Sequence, residues 1–310
     1  MDSVSPFIFS EKSKEKNMQA LFGYAGSKRR YVSKIIDVLP QNLRDYELYI
    51  EPFYGTGIVD KTIHKLYQFP HKLVNDKNPF IANLMEWVQN DPFRLAQNYE
   101  ALVWHWNSLH SAEERWATFY TLRQRLNEAK TGQREYTLMD AARFLLLQRT
   151  CLLTQYKENA QGECASTYGI DHAKLASGTK LKVILEQHIV VENASIYNSD
   201  YEEHMGAVNK RTLVYLDPPY LRNRKTQEKN LYINDSGAEA EQERFYKYCK
   251  YLEKKGAYVL VSQAFNNGDE WDKRFAKDFS FLEYCVKYTG NNVHKSKLPE
   301  TIERIYIINA

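Results

Sequence analysis

The run Leu213-Val214-Tyr215-Leu216 is followed at once by Asp217-Pro218-Pro219-Tyr220. Four apolar residues of this kind read as a buried strand. Two prolines stop it, because neither has an N–H to give to a neighbouring strand. The Asp217 carboxylate and the Pro218 carbonyl are left at the strand's carboxyl-terminal edge, where open α/β sheets bind ligands. An amino group on a planar base needs two acceptors for its hydrogens and a ring to lie against. Asp217, Pro218 and Tyr220 supply all three; the alternative is an ordinary Pro-Pro turn.

Other short apolar runs surround this one. Leu48-Tyr49-Ile50, Leu73-Val74, Ile189-Val190-Val191 and Tyr258-Val259-Leu260-Val261 read as further buried strands alternating with helical patterns. Such alternation predicts an α/β fold, with a mostly parallel sheet and helices on both faces. Phe281–Tyr288 and Arg304–Ile308 alternate apolar and polar residues, which fits an antiparallel edge hairpin. Between Asn90 and about Gln187 the rhythm breaks. Leu95, Tyr99, Leu102, Val103 and Trp106 recur at helical spacing, as do Phe119, Leu122 and Leu126, then Ala141, Phe144, Leu145 and Leu147. This predicts a helical insertion, in which Trp104, Trp106 and Trp116 are expected to pack rather than to stack on bases.

Composition narrows the class. Of the 310 residues, 43% are hydrophobic and 26% charged, which excludes a disordered chain. No apolar run is long enough to span a bilayer, and the first ten residues lack a signal-peptide pattern. Cys151, Cys164, Cys249 and Cys285 stand far apart and no HExxH occurs, so free thiols and no metal are expected. A net charge of +3 permits nucleic acid without demanding it.

Two glycine motifs lie upstream. In Glu51-Pro52-Phe53-Tyr54-Gly55-Thr56-Gly57 the glycines follow a strand and allow close approach of a ligand to backbone. Val74-Asn75-Asp76 ends the next strand with an acidic residue suited to ribose hydroxyls. The dinucleotide pattern is incomplete, since Asp60 stands where its third glycine belongs; a cofactor without a pyrophosphate is expected. Phe22-Gly23-Tyr24-Ala25-Gly26-Ser27-Lys28 lacks phosphate-loop spacing. Its Lys28 could instead reach a carboxylate.

In order and spacing these motifs resemble the DNA adenine-N6 methyltransferases of the Dam-like, D12 class with alpha-type motif order. The resemblance covers roughly residues 20–310. Asn198-Ser199-Asp200-Tyr201 and Ser262-Gln263 extend it, while Ser27 and Leu153-Thr154 depart from the family pattern. It implies a Rossmann-like sheet that uses S-adenosyl-L-methionine (SAM), with an inserted helical target-recognition domain. The implied division is a flexible arm at 1–20, a catalytic domain at 21–90 and 188–310, and a recognition domain at 91–187. The implied catalytic residues are Asp217, Pro218, Pro219 and Tyr220, with Tyr220 the ring on which a flipped adenine stacks. The cofactor falls to Tyr24, Lys28, Glu51, Phe53, Gly55, Gly57, Asp76, Asp200, Tyr201 and Asp217. Among these, Asp76 takes the ribose, Asp200 the adenine amino group (its alternative being a helix cap), and Lys28 with Tyr24 the methionine end. DNA contacts fall to Arg143, Arg149, Asn159, Arg222, Arg224, Lys225, Lys295 and Lys297, with Lys229 beside them. The partner is double-stranded DNA, with a cognate restriction endonuclease a candidate second partner, no membrane and no metal. The setting is the cytoplasm of a prokaryote or a phage-infected cell. The competing substrates are cytosine N4, RNA adenine and a protein amide; a catalytically silent DNA-binding module is the remaining alternative.

Overall fold

The computed structural model describes residues 19–23, 28–152, 156–159, 161–169, 175, 180–219, 238–265, 270–287 and 300–310. Tyr24, Ser27, Leu153-Thr154, Tyr220, Arg222, Arg224, Lys225, Lys229, Lys295, Lys297 and all but the end of the 1–20 arm lie outside those residues.

Among the described residues, seven strands form one sheet in the order β3-β2-β1-β4-β5-β7-β6. They are β1 Leu48–Glu51, β2 His71–Asn75, β3 Ala194–Tyr197, β4 Thr212–Leu216, β5 Tyr258–Ala264, β6 Ser280–Lys287 and β7 Glu300–Ile308. The first five are parallel to one another. β7 pairs antiparallel with both β5 and β6. The order reverses between β1 and β4, which places a ligand crevice outside the carboxyl ends of those two strands.

Side chains alternate across the sheet, as strand geometry requires. Tyr49, Leu213, Tyr215, Leu260 and Ile305 join one core with α1 (Val32–Ile36) and α2 (Ile58–Leu66). Ile50, Val214, Leu216, Val259, Val261 and Tyr306 join the opposite core with α8 (Ala238–Lys254) and α9 (Glu270–Asp278). Both faces are covered, so these strands read as unbroken apolar runs.

Between β2 and β3 stand α3 (Pro79–Asn90), α4 (Pro92–Ser108), α5 (Ala112–Lys130), α6 (Leu138–Thr150) and α7 (Lys180–Val191). Sequence signals set their starts. Asn78 caps α3 through the Phe80 N–H and Asp91 caps α4 through the Arg94 N–H, each with proline in the first turn. Ser111 and Glu114 form a capping box on α5. A single apolar core joins α3, α4, α5, α6 and α7 to Val74 and Ala194 of the sheet.

Two expectations are corrected. Ile189-Val190-Val191 is the end of α7, not a strand, and the strand begins later, at Ala194. Val183, Ile184, Gln187, Val190 and Val191 are buried along one helical face while Ile189 is 52% exposed. A three-residue β-branched run cannot by itself separate a strand from a buried helix segment. Of the tryptophans expected to pack, Trp106 is fully buried, but Trp104 and Trp116 are 74% and 54% exposed. Trp104 falls outside the inward face of α4 set by Tyr99, Val103 and Trp106, and Trp116 lies against the Tyr120 ring at 4.4 Å.

Candidate active site

The turn after β1 is built by glycine. Gly55 has φ 50° and Gly57 φ 65°, left-handed values that other residues adopt at a cost. A Cβ on Gly57 would lie 2.6–2.7 Å from the Tyr54 ring, so that position excludes any side chain. The Gly55 N–H donates to Asp76 Oδ2 at 2.8 Å, and the Asn78 N–H donates to Asp76 Oδ1 at 2.8 Å. Burial pushes the Asp76 carboxyl up to about 6, against the pull of these two amides.

Asn75 clasps three segments. Its Nδ2 donates to the carbonyls of Pro52 and Ser199 at 3.1 and 3.0 Å, and its Oδ1 accepts from the Ser199 N–H at 2.9 Å. Asn198 Nδ2 donates to the Asp76 carbonyl at 2.8 Å. The ends of β1, β2 and β3 are thus tied at one place. The sequence reading saw the Asn75-Asp76 pair but gave a role only to Asp76.

Across β1, Asp217 follows β4. Lys28 is 2% exposed, and its Nζ lies 2.6 Å from Asp217 Oδ1. Burial raises the Asp217 carboxyl above its ordinary value, Lys28 pulls it down, and the Glu303 carboxylate adds to the rise. Pro218 is buried and Pro219 exposed. Glu51 is buried at the end of β1 and accepts the Tyr49 hydroxyl at 2.7 Å. Burial, with the Asp60 charge behind it, holds the Glu51 carboxyl well above the carboxylate range. Tyr215 and Ser262 share a buried hydroxyl–hydroxyl bond of 2.9 Å. Glu303, fully buried in β7, went unread; it stands directly before the alternating Arg304–Ile308 run.

The segment after β3 is more closed than expected. Asp200 forms an ion pair with Arg244 from α8, lies 3.8 Å from Lys77, and accepts the Glu202 N–H at 3.2 Å. Burial raises the Asp200 carboxyl, but Arg244, the Glu202 amide and Lys77 outweigh it and leave it below its ordinary value. The carboxylate thus braces a turn instead of capping an α-helix. Tyr201 is buried, with the Phe53 ring 5.2 Å and the Tyr248 ring 5.1 Å away. Arg244 stacks 4.7 Å over Tyr201, a contact the sequence did not reveal.

The described residues expected at DNA have internal partners. Arg143 pairs with buried Asp140 at 3.0 Å, and Arg149 donates to the Tyr99 hydroxyl at 2.7 Å. Asn159 Oδ1 accepts from the Gln161 and Glu163 N–H groups at 3.0 and 2.9 Å, and so shapes its own loop. Arg143 and Arg149 lie on α6, and Asn159 lies between α6 and α7. Lys28, Glu51, Gly55, Gly57, Asp76 and Asp217 gather at the carboxyl edge of the sheet. Among the described residues no cluster of His, Cys, Asp and Glu could hold a metal ion, and no helix is long and apolar enough to cross a membrane.

The family model for D12 class N6 adenine-specific DNA methyltransferases matches residues 24–289. The type II methyltransferase M.MjaIII of Methanocaldococcus jannaschii is 29% identical over 246 residues, covering 78% of this chain and 83% of its own. The type II methyltransferase M1.LlaDCHI of Lactococcus lactis subsp. cremoris is 21% identical over 294 residues, covering 94% and 96%. The DNA N-6-adenine-methyltransferase of Escherichia phage P1 is 23% identical over 249 residues, which is 79% of this chain and 30% of the phage protein. With the motif order, the sheet order and a family match over most of its length in agreement, the chain belongs to the D12 class of N6 adenine-specific DNA methyltransferases.

Proposed function

We propose that the chain methylates N6 of an adenine swung out of double-stranded DNA, with Asp217 and the Pro218 carbonyl accepting the two amino hydrogens. The observation that carries this reading is the position of Asp217 at the end of β4, beside the β1 crevice where the sheet order reverses. SAM supplies an electrophilic methyl group when bound. The residues present fit it: Asp76 is a carboxylate suited to a ribose diol, and the glycine turn leaves no Cβ in the way. Phe53 offers an apolar face beside that turn.

The adenine N6 lone pair is shared with the ring. Two acceptors on its hydrogens draw that nitrogen towards sp³ and aim the lone pair at the methyl carbon. Holding donor and acceptor at near-attack distance supplies much of the rate, and acceptors aimed at developing charge supply more. Tyr220 would stack on the extruded base. Arg222, Arg224 and Lys225, directly after it in sequence, and Lys295 and Lys297 would meet phosphates. The two type II relatives support a cognate restriction endonuclease as a partner, and DNA as substrate supports action in the cytoplasm of a prokaryotic or phage-infected cell. Incubation with methyl-labelled SAM and DNAs of varied sequence tests the reading. Label recovered as N6-methyladenine at a defined sequence is expected; label on cytosine or RNA alone would sink it.

Asp76 gives the cofactor site a pH dependence. A carboxylate offers about four lone-pair sites, of which Gly55 and Asn78 use two. Protonation removes an acceptor that the ribose needs. With its carboxyl at about 6, SAM affinity should be full above that pH and fall below it, by about tenfold at pH 5. Asp76→Asn should flatten the curve. Calorimetry showing equal affinity at pH 5 and pH 8 in the unaltered protein would count against the assignment.

A further inference from the structure

We propose that Lys28 is a positioning residue for Asp217: it stays on Oδ1 during methyl transfer, holds the carboxylate charged, and turns Oδ2 towards the target amine. This rests on the reading that Asp217 accepts a hydrogen of that amine. It departs from the expectation that Lys28 reaches the cofactor's carboxylate.

The geometry is specific. The Lys28 ammonium is 2% exposed and lies 2.6 Å from Asp217 Oδ1, a short charge-assisted contact. Lys28 opens a 3-10 turn, Lys28–Arg30, and its carbonyl accepts the Tyr31 N–H at 3.0 Å. Its Nζ lies 5.8 Å from the Tyr31 ring centre. The side chain is therefore held from its own backbone outward.

The charges around Asp217 explain why a cation is needed. Glu303 faces it from β7, Glu51 from the end of β1, and the Tyr215 hydroxyl from β4, with Tyr284 of β6 beyond that hydroxyl. Burial and the Glu303 carboxylate both favour the neutral form of Asp217, and Lys28 opposes them. A neutral acid would have a proton on one of the oxygens that must accept. A carboxylate has acceptor sites on both oxygens, so Lys28 can keep Oδ1 while Oδ2 receives N6–H. The lysine then fixes which oxygen faces the base.

Lys28→Met and Lys28→Arg, each against the unaltered enzyme, test this. Three readouts are taken: single-turnover methylation rate against pH, SAM affinity by calorimetry, and the ionisation of Asp217 without DNA. The last is followed by infrared spectroscopy of 13C-aspartate protein, with Asp217→Asn identifying the band. In Lys28→Met the acid limb of the rate profile and the Asp217 band should both move up by about one pH unit or more. The lost rate should return as pH rises, while SAM affinity stays within about twofold. Lys28→Arg should keep the limb near that of the unaltered enzyme. A tenfold loss of SAM affinity with an unmoved limb would overturn the proposal, as would an Asp217 band that titrates alike in both proteins. Should Lys28→Met not fold, Lys28→Gln gives the same readouts. Failure of the unaltered enzyme to methylate DNA would refute the role of Asp217 as acceptor, whereas the infrared band separately decides whether Lys28 holds that carboxylate charged.

Discussion

Asp217→Ala is expected to lower the rate of methyl transfer by about 10³-fold, while SAM affinity changes by no more than a few-fold. The variant removes a charged acceptor aimed at the amine and leaves the Pro218 carbonyl alone to meet two hydrogens. The Asp76–Gly55 contact, on the proposed cofactor side, lies across β1 and is not touched. Single-turnover assays with saturating SAM and DNA isolate the chemical step. A rate within tenfold of the unaltered enzyme would mean that another group carries the proposed role.

The second large effect concerns a buried ion pair beneath the glycine turn. Lys72 Nζ lies 2.5 Å from Asp60 Oδ1, with both side chains almost fully buried. Lys72 also donates to the Val190 carbonyl at 3.0 Å and sits 3.1 Å from His64 Nδ1. Asp60 Oδ2 accepts the Tyr54 hydroxyl at 3.1 Å, and Gln187 Nε2 donates to that hydroxyl at 2.8 Å. Lys72→Met removes the cation and strands a carboxylate in the core, which should destabilise the fold by about 3–5 kcal/mol. Asp60→Asn added to Lys72→Met should recover part of that loss, because the stranded charge is gone. Urea unfolding checks both, and an unchanged midpoint in the single variant would show that the pair contributes nothing. Since the Tyr54 ring lies under Gly57, SAM affinity should weaken alongside stability.

Asp60 shows what was legible and what was not. In sequence it stands only where a dinucleotide site would place a glycine. In space it is the buried centre of a network linking α2, β2 and α7. The strands β1, β2, β4 and β5 could be read because both their faces are buried and their apolar runs are short and bounded. The β6–β7 hairpin could be read from its alternation. β3 could not: Ala194–Tyr197 has a weak apolar pattern at the sheet edge, and the stronger β-branched run beside it belongs to α7. The motifs Glu51–Gly57, Asn75-Asp76 and Asp217-Pro218-Pro219 are local, so their spacing alone exposed them. The Lys28–Asp217 pair, the Glu303 charge and the Arg244–Asp200 pair join residues far apart in the chain. Such contacts exist only once the sheet has formed.

The shared core between the helical block and α3 has a mechanical meaning. Asp91 ends α3 and starts α4, and the Asp76 carboxylate accepts the N–H of Asn78, the residue that caps α3. The helices inserted after β2 are therefore bolted to the Asp76 carboxylate, the proposed ribose acceptor, through one short strut. On the proposed reading, with Asp76 at the ribose, a load placed on that block would pass along α3 to the Asp76 loop and so reach the grip on the cofactor.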